Sequence, residues 1–134
     1  MGILSGVLTS LCSVLAMSVF FGLNHKEYAT LLPKSITTAI GIGISEELGG
    51  IVTITVAVII ITGILGNVIA DTVFHIFKIK NPLAKGLALG TASHAIGTAR
   101  AIEMGPVEGA MSSLAVAVAG LLTVVFVSGF AQLI

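Results

Sequence analysis

The sequence has little charge and few aromatic residues. It carries six Lys or Arg and six Asp or Glu among 134 residues, which is 9% charge, and it has no Trp and one Tyr. Soluble domains carry about 25% charged residues, so a soluble enzyme or binding module is excluded. The balanced charge and the lack of stacking rings also argue against nucleic-acid binding. The single cysteine, Cys12, excludes a disulfide within the chain.

The chain contains long apolar runs. Hydrophobic residues make up 56% of the chain, and the mean hydropathy is +1.16. A membrane-spanning helix needs about 20 mostly apolar residues, and the segments 2–23, 51–77 and 107–134 meet this requirement. The first segment has no Lys or Arg before its apolar core, unlike a signal peptide. The composition therefore predicts an all-α polytopic protein embedded in a lipid bilayer.

Two less hydrophobic segments, 31–49 and 87–105, lie between these runs and mix apolar residues with Gly, Ser and Thr. A shift of 56 positions aligns them with six identities over 19 residues, among them Gly41 with Gly97 and Glu47 with Glu103. The apolar runs that follow them fall at the same offset. Chance similarity in an apolar sequence is the alternative. The alignment favours a duplicated unit, in which a Gly-interrupted broken helix precedes a long apolar helix.

The lysines and glutamates indicate whether the two polar segments cross the membrane. Full crossing places all five lysines on one side and four glutamates (Glu46, Glu47, Glu103 and Glu108) on the other, whereas re-entrant loops divide the lysines between the sides. The positive-inside rule favours full crossing. The sequence thus predicts about five spans, with the N-terminal end outside and the C-terminal end in the cytoplasm. These spans lie near 2–23, 31–49, 51–77, 87–105 and 107–134.

The second polar segment contains the strongest candidates for a functional site. Broken helices at matching positions of a repeat mark the substrate site of secondary transporters. Arg100 could bind a substrate carboxylate through its planar guanidinium, or could pair with Glu103 three residues later. His94 could carry a proton near neutral pH, or could bond as a neutral ring to a backbone carbonyl.

Hydroxyl side chains of both polar segments are predicted to line the site. They are Thr91, Ser93 and Thr98 in the second segment, and Ser35, Thr37 and Thr38 in the first. Lys34 could attract an anion or anchor the chain at the membrane interface.

Acidic and imidazole side chains could form a proton or cation path. His94, Glu103 and Asp71 are its candidates, and Asn67, Asp71 and His75 share a helix face at i, i+4 and i+8. No metal-ligand spacing or hydrolytic arrangement occurs, so neither a metal, a cofactor nor an enzymatic activity is expected.

Several of these motifs match a known family. The run Leu32-Pro33-Lys34-Ser35-Ile36-Thr37-Thr38, the run G-T-A-S-H-A-I-G-T-A-R at 90–100 and the run E-G-A-M-S at 108–112 closely resemble the LrgB/CidB family of bacterial membrane proteins. The likeness covers nearly all of the chain, which is similar to the C-terminal part of the longer family domain. One departure is Ala39, where the family commonly has proline.

The resemblance implies a multi-pass protein of the bacterial inner membrane and two classes of function. The first is transport of small monocarboxylates such as pyruvate, since a chloroplast relative is a glycolate/glycerate translocator. The second is an antiholin-like effect on murein hydrolase export and autolysis, exerted with an LrgA/CidA-type partner. An LrgA/CidA-type partner, a homo-oligomer, or both are expected. The broken polar segments, with Arg100 and His94, favour transport of a small anion, which the resemblance implies is a carboxylate and which His94 could couple to protons.

Overall fold

The computed structural model describes all 134 residues and is entirely helical. Its six helices are α1 (Gly2–Phe21), α2 (His25–Leu31), α3 (Thr38–Leu48), α4 (Val52–Ile76), α5 (Pro82–Met104) and α6 (Pro106–Ala131). Helices α1, α4 and α6 are each long and apolar enough to cross a membrane. The predicted all-α membrane architecture is therefore confirmed.

Helix α5 reverses its direction at His94, whose φ of 43° and ψ of −134° are not helical. The residues on either side of this break meet the same part of α6. A Cβ placed on Gly86 would lie 2.8 Å from Met111 Cβ, and one placed on Gly109 would lie 2.9 Å from Ile102 Cγ1. Gly86 and Ile102 each lie eight residues from His94. Helix α5 is therefore a re-entrant hairpin of two short arms, which we call hairpin 2.

Helices α2 and α3, with the connection 32–37, form a similar hairpin, which we call hairpin 1. Both of its arms reach the same residue of α4, because Thr55 Oγ1 lies 2.9 Å from the Thr30 carbonyl oxygen and 2.8 Å from Ser45 Oγ. Pro33 lies in the connection and has no N–H to continue a helical ladder. At 1.5 Å per residue, the 11 residues of α3 rise only about 16 Å. Such an arm reaches the middle of a hydrocarbon layer of about 30 Å.

The two hairpins enter from opposite ends of α4. Hairpin 1 packs beside Thr55 near the start of α4, whereas Leu89 of hairpin 2 packs with Phe74 near its end. We name the two membrane faces A and B according to which helix ends lie there. The A face holds the start of α4 and the end of α6, where Tyr28 donates a hydrogen bond to the Phe130 carbonyl over 2.8 Å. The B face holds the end of α4 and the starts of α1 and α6.

The structure has three helices long enough to cross rather than the predicted five, because the two polar segments turn back. Each polar segment belongs to a hairpin of two short arms, and neither arm is long enough to span. The sequence repeat agrees with this structure. The offset of 56 aligns Thr38, the first residue of α3, with His94 at the tip of hairpin 2, and the C-cap Gly49 with the C-cap Gly105. Each repeat unit is a hairpin followed by a long helix, and the second unit is inverted.

Candidate functional site

The tips of the two hairpins border a polar cavity of about 530 Å³ at mid-depth between α1 and α4, which we call the central cavity. Seven hydroxyl side chains and one lysine line it. Hydroxyls can donate and accept hydrogen bonds, so such a wall suits a small polar solute. The hydroxyl residues are Thr9, Ser10 and Ser13 of α1, Ser35 of hairpin 1, Thr62 of α4, and Thr91 and Ser93 of hairpin 2.

Lys34 provides the only positive charge of the central cavity. Its ammonium group donates hydrogen bonds to Ser35 Oγ over 3.0 Å and to Ser10 Oγ over 3.4 Å. Both ion pairs of the protein involve Arg100, so Lys34 has no carboxylate partner. A half-buried ammonium group without a counter-ion favours an anion beside it.

Hairpin 2 brings Thr91 and Ser93 to the cavity through a close approach to α4. A Cβ placed on Gly66 would lie 2.7 Å from Ser93 Cβ, so only glycine lets the hairpin tip come this near. Thr91 donates to the Leu87 carbonyl over 2.7 Å, which leaves its oxygen able to accept from a solute.

His94 lies at the tip of hairpin 2 but does not line the central cavity. It is buried, and its Nε2 donates a hydrogen bond to the Ile59 carbonyl oxygen of α4 over 2.9 Å. This contact is the structural alternative that the sequence left open. It fixes the reversed backbone of hairpin 2 against α4.

Three predicted hydroxyl residues lie outside the cavity. Thr98 lies in the second arm of hairpin 2 (residues 95–104), which we call the return arm. Its Oγ1 lies 2.9 Å from the His94 carbonyl oxygen and 2.7 Å from Ser112 Oγ. Thr37 and Thr38 begin α3 and are not among the lining residues. Of the six predicted hydroxyl residues, the structure brings Ser35, Thr91 and Ser93 to the cavity.

Arg100 lies near the B face and pairs with two carboxylates. Its guanidinium donates to Asp71 of α4 and, over 2.8 Å, to Glu103 one turn further along the return arm. The predicted pairing with Glu103 is therefore confirmed, and Asp71 joins it. Arg100 does not line the central cavity. Its predicted contact with a substrate carboxylate therefore has no support from the cavity and stays a prediction.

The sequence reading missed the contribution of α1 and of Thr62. Thr9 and Ser13 are spaced i, i+4 and therefore share a helix face with Ser10 beside them. Three hydroxyl groups on one face of an apolar helix were a detectable signal. Nowhere do three His, Cys, Asp or Glu side chains come together in a way that could hold a metal ion.

Comparisons with known proteins agree with this architecture. A sequence profile of the LrgB-like family matches residues 1–133. The chain is 43% identical over 127 residues to proteins named antiholin-like protein LrgB from Bacillus cereus (strain B4264) and Bacillus anthracis (strain A0248). The match covers 92% of this chain and 55% of each relative, so the chain spans about half the length of these proteins. No solved structure matches the chain.

Proposed function

The chain belongs to the LrgB-like family of antiholin-like membrane proteins, and we propose that it acts in secondary transport of small monocarboxylates of the pyruvate or glycolate type. The observation that carries this proposal is the unpaired Lys34 in the central cavity, where two oppositely inserted hairpins meet. Inverted repeats with broken helices at the midplane are the architecture of secondary transporters.

In this proposal Lys34 binds the substrate carboxylate, and the surrounding hydroxyl groups bind its remaining oxygens. The cavity volume of about 530 Å³ lies within the range of 300–1,000 Å³ that is typical of small-molecule sites. Ser35, Thr91 and Ser93 belong to the two hairpin tips, so a bound anion would contact both repeat units at once. Rocking of one unit against the other would then expose the anion to either side of the membrane.

The remaining predicted residues take supporting roles in the same proposal. The His94 hydrogen bond holds hairpin 2 on α4, and Arg100 holds the return arm through Asp71 and Glu103. Coupling to protons stays a prediction, since His94 lies outside the central cavity. An LrgA/CidA-type partner or a second copy would cover the exposed sides of α1 and α4.

The test is uptake of labelled pyruvate and glycolate by cells that express this chain, with and without an LrgA-type partner. Lys34→Gln should raise the KM for uptake at least tenfold, because a charge-assisted hydrogen bond is lost. Lys34→Arg should retain uptake, and Lys26→Gln is the matched control, since Lys26 is an exposed lysine at the A face. Unchanged uptake in Lys34→Gln, with equal membrane insertion, would contradict the proposal.

The second candidate function is the antiholin-like role that the names of the Bacillus relatives state. In that case the chain would alter murein hydrolase activity and autolysis together with an LrgA-type partner. Changed lysis without any carboxylate uptake, unaffected by Lys34→Gln, would favour this role. Lysis that changes in parallel with uptake across the variants would make autolysis a consequence of transport.

A further inference from the structure

A second cavity, of about 550 Å³, lies at the B face beside the connection from α4 to α5. It shares no lining residue with the central cavity, so it requires its own explanation. We propose that this basic cavity binds the phosphate-bearing headgroup of an anionic phospholipid.

The charge of the basic cavity is strongly positive. Lys78, Lys80 and Lys85 line it together with His75. Its one carboxylate, Asp71, is already paired with Arg100, and the three lysines have no carboxylate partner. Lysine clusters beside membrane helices attract anionic headgroups, because each ammonium group adds favourable energy near the membrane surface.

The backbone of the connection holds these lysines in place. Lys78 has a φ of 55°, a left-handed conformation that glycine adopts at much lower cost. The Ile79 N–H closes this turn by donating to the Phe74 carbonyl over 2.9 Å. At the other end, the Asn81 side chain caps α5 by accepting from the Leu83 N–H over 2.9 Å. Strained residues of this kind cluster at binding sites.

The surroundings favour a lipid over a soluble anion. Ile76 and Phe77 are adjacent in sequence to the lining residues of the basic cavity and are 65% and 71% exposed, which leaves an apolar surface beside it. Phe74 and Ile79 form an apolar part of the cavity wall, and Lys85 Nζ lies 5.8 Å from the centre of the Phe74 ring. The cavity therefore joins a cationic wall to an apolar one, as a phosphodiester with attached acyl chains requires.

The experiment is a titration of the detergent-solubilised chain with mixed micelles that contain cardiolipin, followed by native mass spectrometry. Cardiolipin should bind in preference to phosphatidylcholine. The triple variant K78Q/K80Q/K85Q should bind it about 100-fold more weakly, and Lys80→Gln alone about fivefold more weakly. The triple Lys-to-Arg variant keeps the charge and should bind normally, as should Lys26→Gln.

Three results would overturn the proposal. The first is equal binding of cardiolipin by the folded triple Gln variant and the wild type. The second is equal binding of phosphatidylcholine, and the third is competition by inorganic phosphate or pyruvate at the same concentration as the lipid. Uptake by the Lys34 variants is measured separately, so failure of this site and failure of the transport proposal are distinguishable.

Discussion

His94 Nε2 donates a hydrogen bond to the Ile59 carbonyl oxygen over 2.9 Å, and this contact joins the tip of hairpin 2 to α4. The same histidine has a positive φ of 43°, at which the chain reverses. A non-glycine residue in this conformation is strained and persists only where its surroundings hold it. The bond to Ile59 is part of what holds it, and the reversal is what brings Ser93 and Thr91 to the central cavity.

The chain reversal at His94 can be tested by comparing the stabilities of two variants. His94→Ala and His94→Gly both lose the bond to Ile59, but glycine adopts a positive φ without strain. His94→Gly should therefore be more stable than His94→Ala by about 1 kcal/mol. The midpoint of thermal unfolding in detergent measures this order.

The matched pair is His75→Ala and His75→Gly in the last turn of α4. Position 75 is helical, so the alanine variant should be more stable than the glycine variant by up to about 1 kcal/mol. The same order at position 94 would mean that α5 is a continuous helix.

Gly66 tests the close approach of α4 to hairpin 2. Gly66→Ala should destabilise the protein by about 1–3 kcal/mol, because the new methyl group would overlap the Ser93 side chain. Gly43→Ala in α3 is the control, since a Cβ there meets nothing within 4 Å. That substitution should stabilise by about 0.4–1 kcal/mol. Equal thermal shifts for the two variants would contradict the predicted contact.

Much of this architecture could be predicted from composition and from the repeat. The three apolar runs correspond to α1, α4 and α6, and the offset of 56 residues aligns the two hairpins. Ser35, Thr91 and Ser93 were predicted at the site because polar residues in a broken segment gather where the chain is interrupted.

The reversal of the polar segments could not be predicted in this way. A crossing helix and a hairpin of two arms can have the same composition, and the positive-inside rule favoured crossing. Only the φ of His94 and the packing of both arms on α6 distinguish them. Only one of the two ion pairs of Arg100 could be predicted from the sequence. Glu103 is three residues away, whereas Asp71 is 29 residues away and belongs to another helix.

Arg100 and Asp71 are expected to act as one unit in uptake. If their pair only holds hairpin 2 against α4, then Arg100→Gln and Asp71→Asn should lower the initial rate of uptake by similar factors. The double variant should be no slower than either single one, because both changes break the same contact. A loss of uptake in Arg100→Gln alone, with Asp71→Asn normal, would instead indicate that Arg100 binds the substrate.

A measurement of membrane topology distinguishes the hairpin structure from a chain with five crossings. On a Cys12→Ser background, cysteine replaces Glu47, Lys80 or Glu103, each of which is exposed, and an impermeant thiol reagent is applied to intact cells. The hairpins put Lys80 and Glu103 together at the B face and Glu47 at the A face, whereas five crossings would group Glu103 with Glu47. The B face carries Lys78, Lys80, Lys85 and Arg100, so the positive-inside rule now assigns it to the cytoplasm, which reverses the orientation expected for five crossings because the start of α1 lies at this face. We therefore expect labelling at position 47 in intact cells, and at positions 80 and 103 only after permeabilisation. Labelling of 47 and 103 from the same side would contradict the re-entrant hairpins.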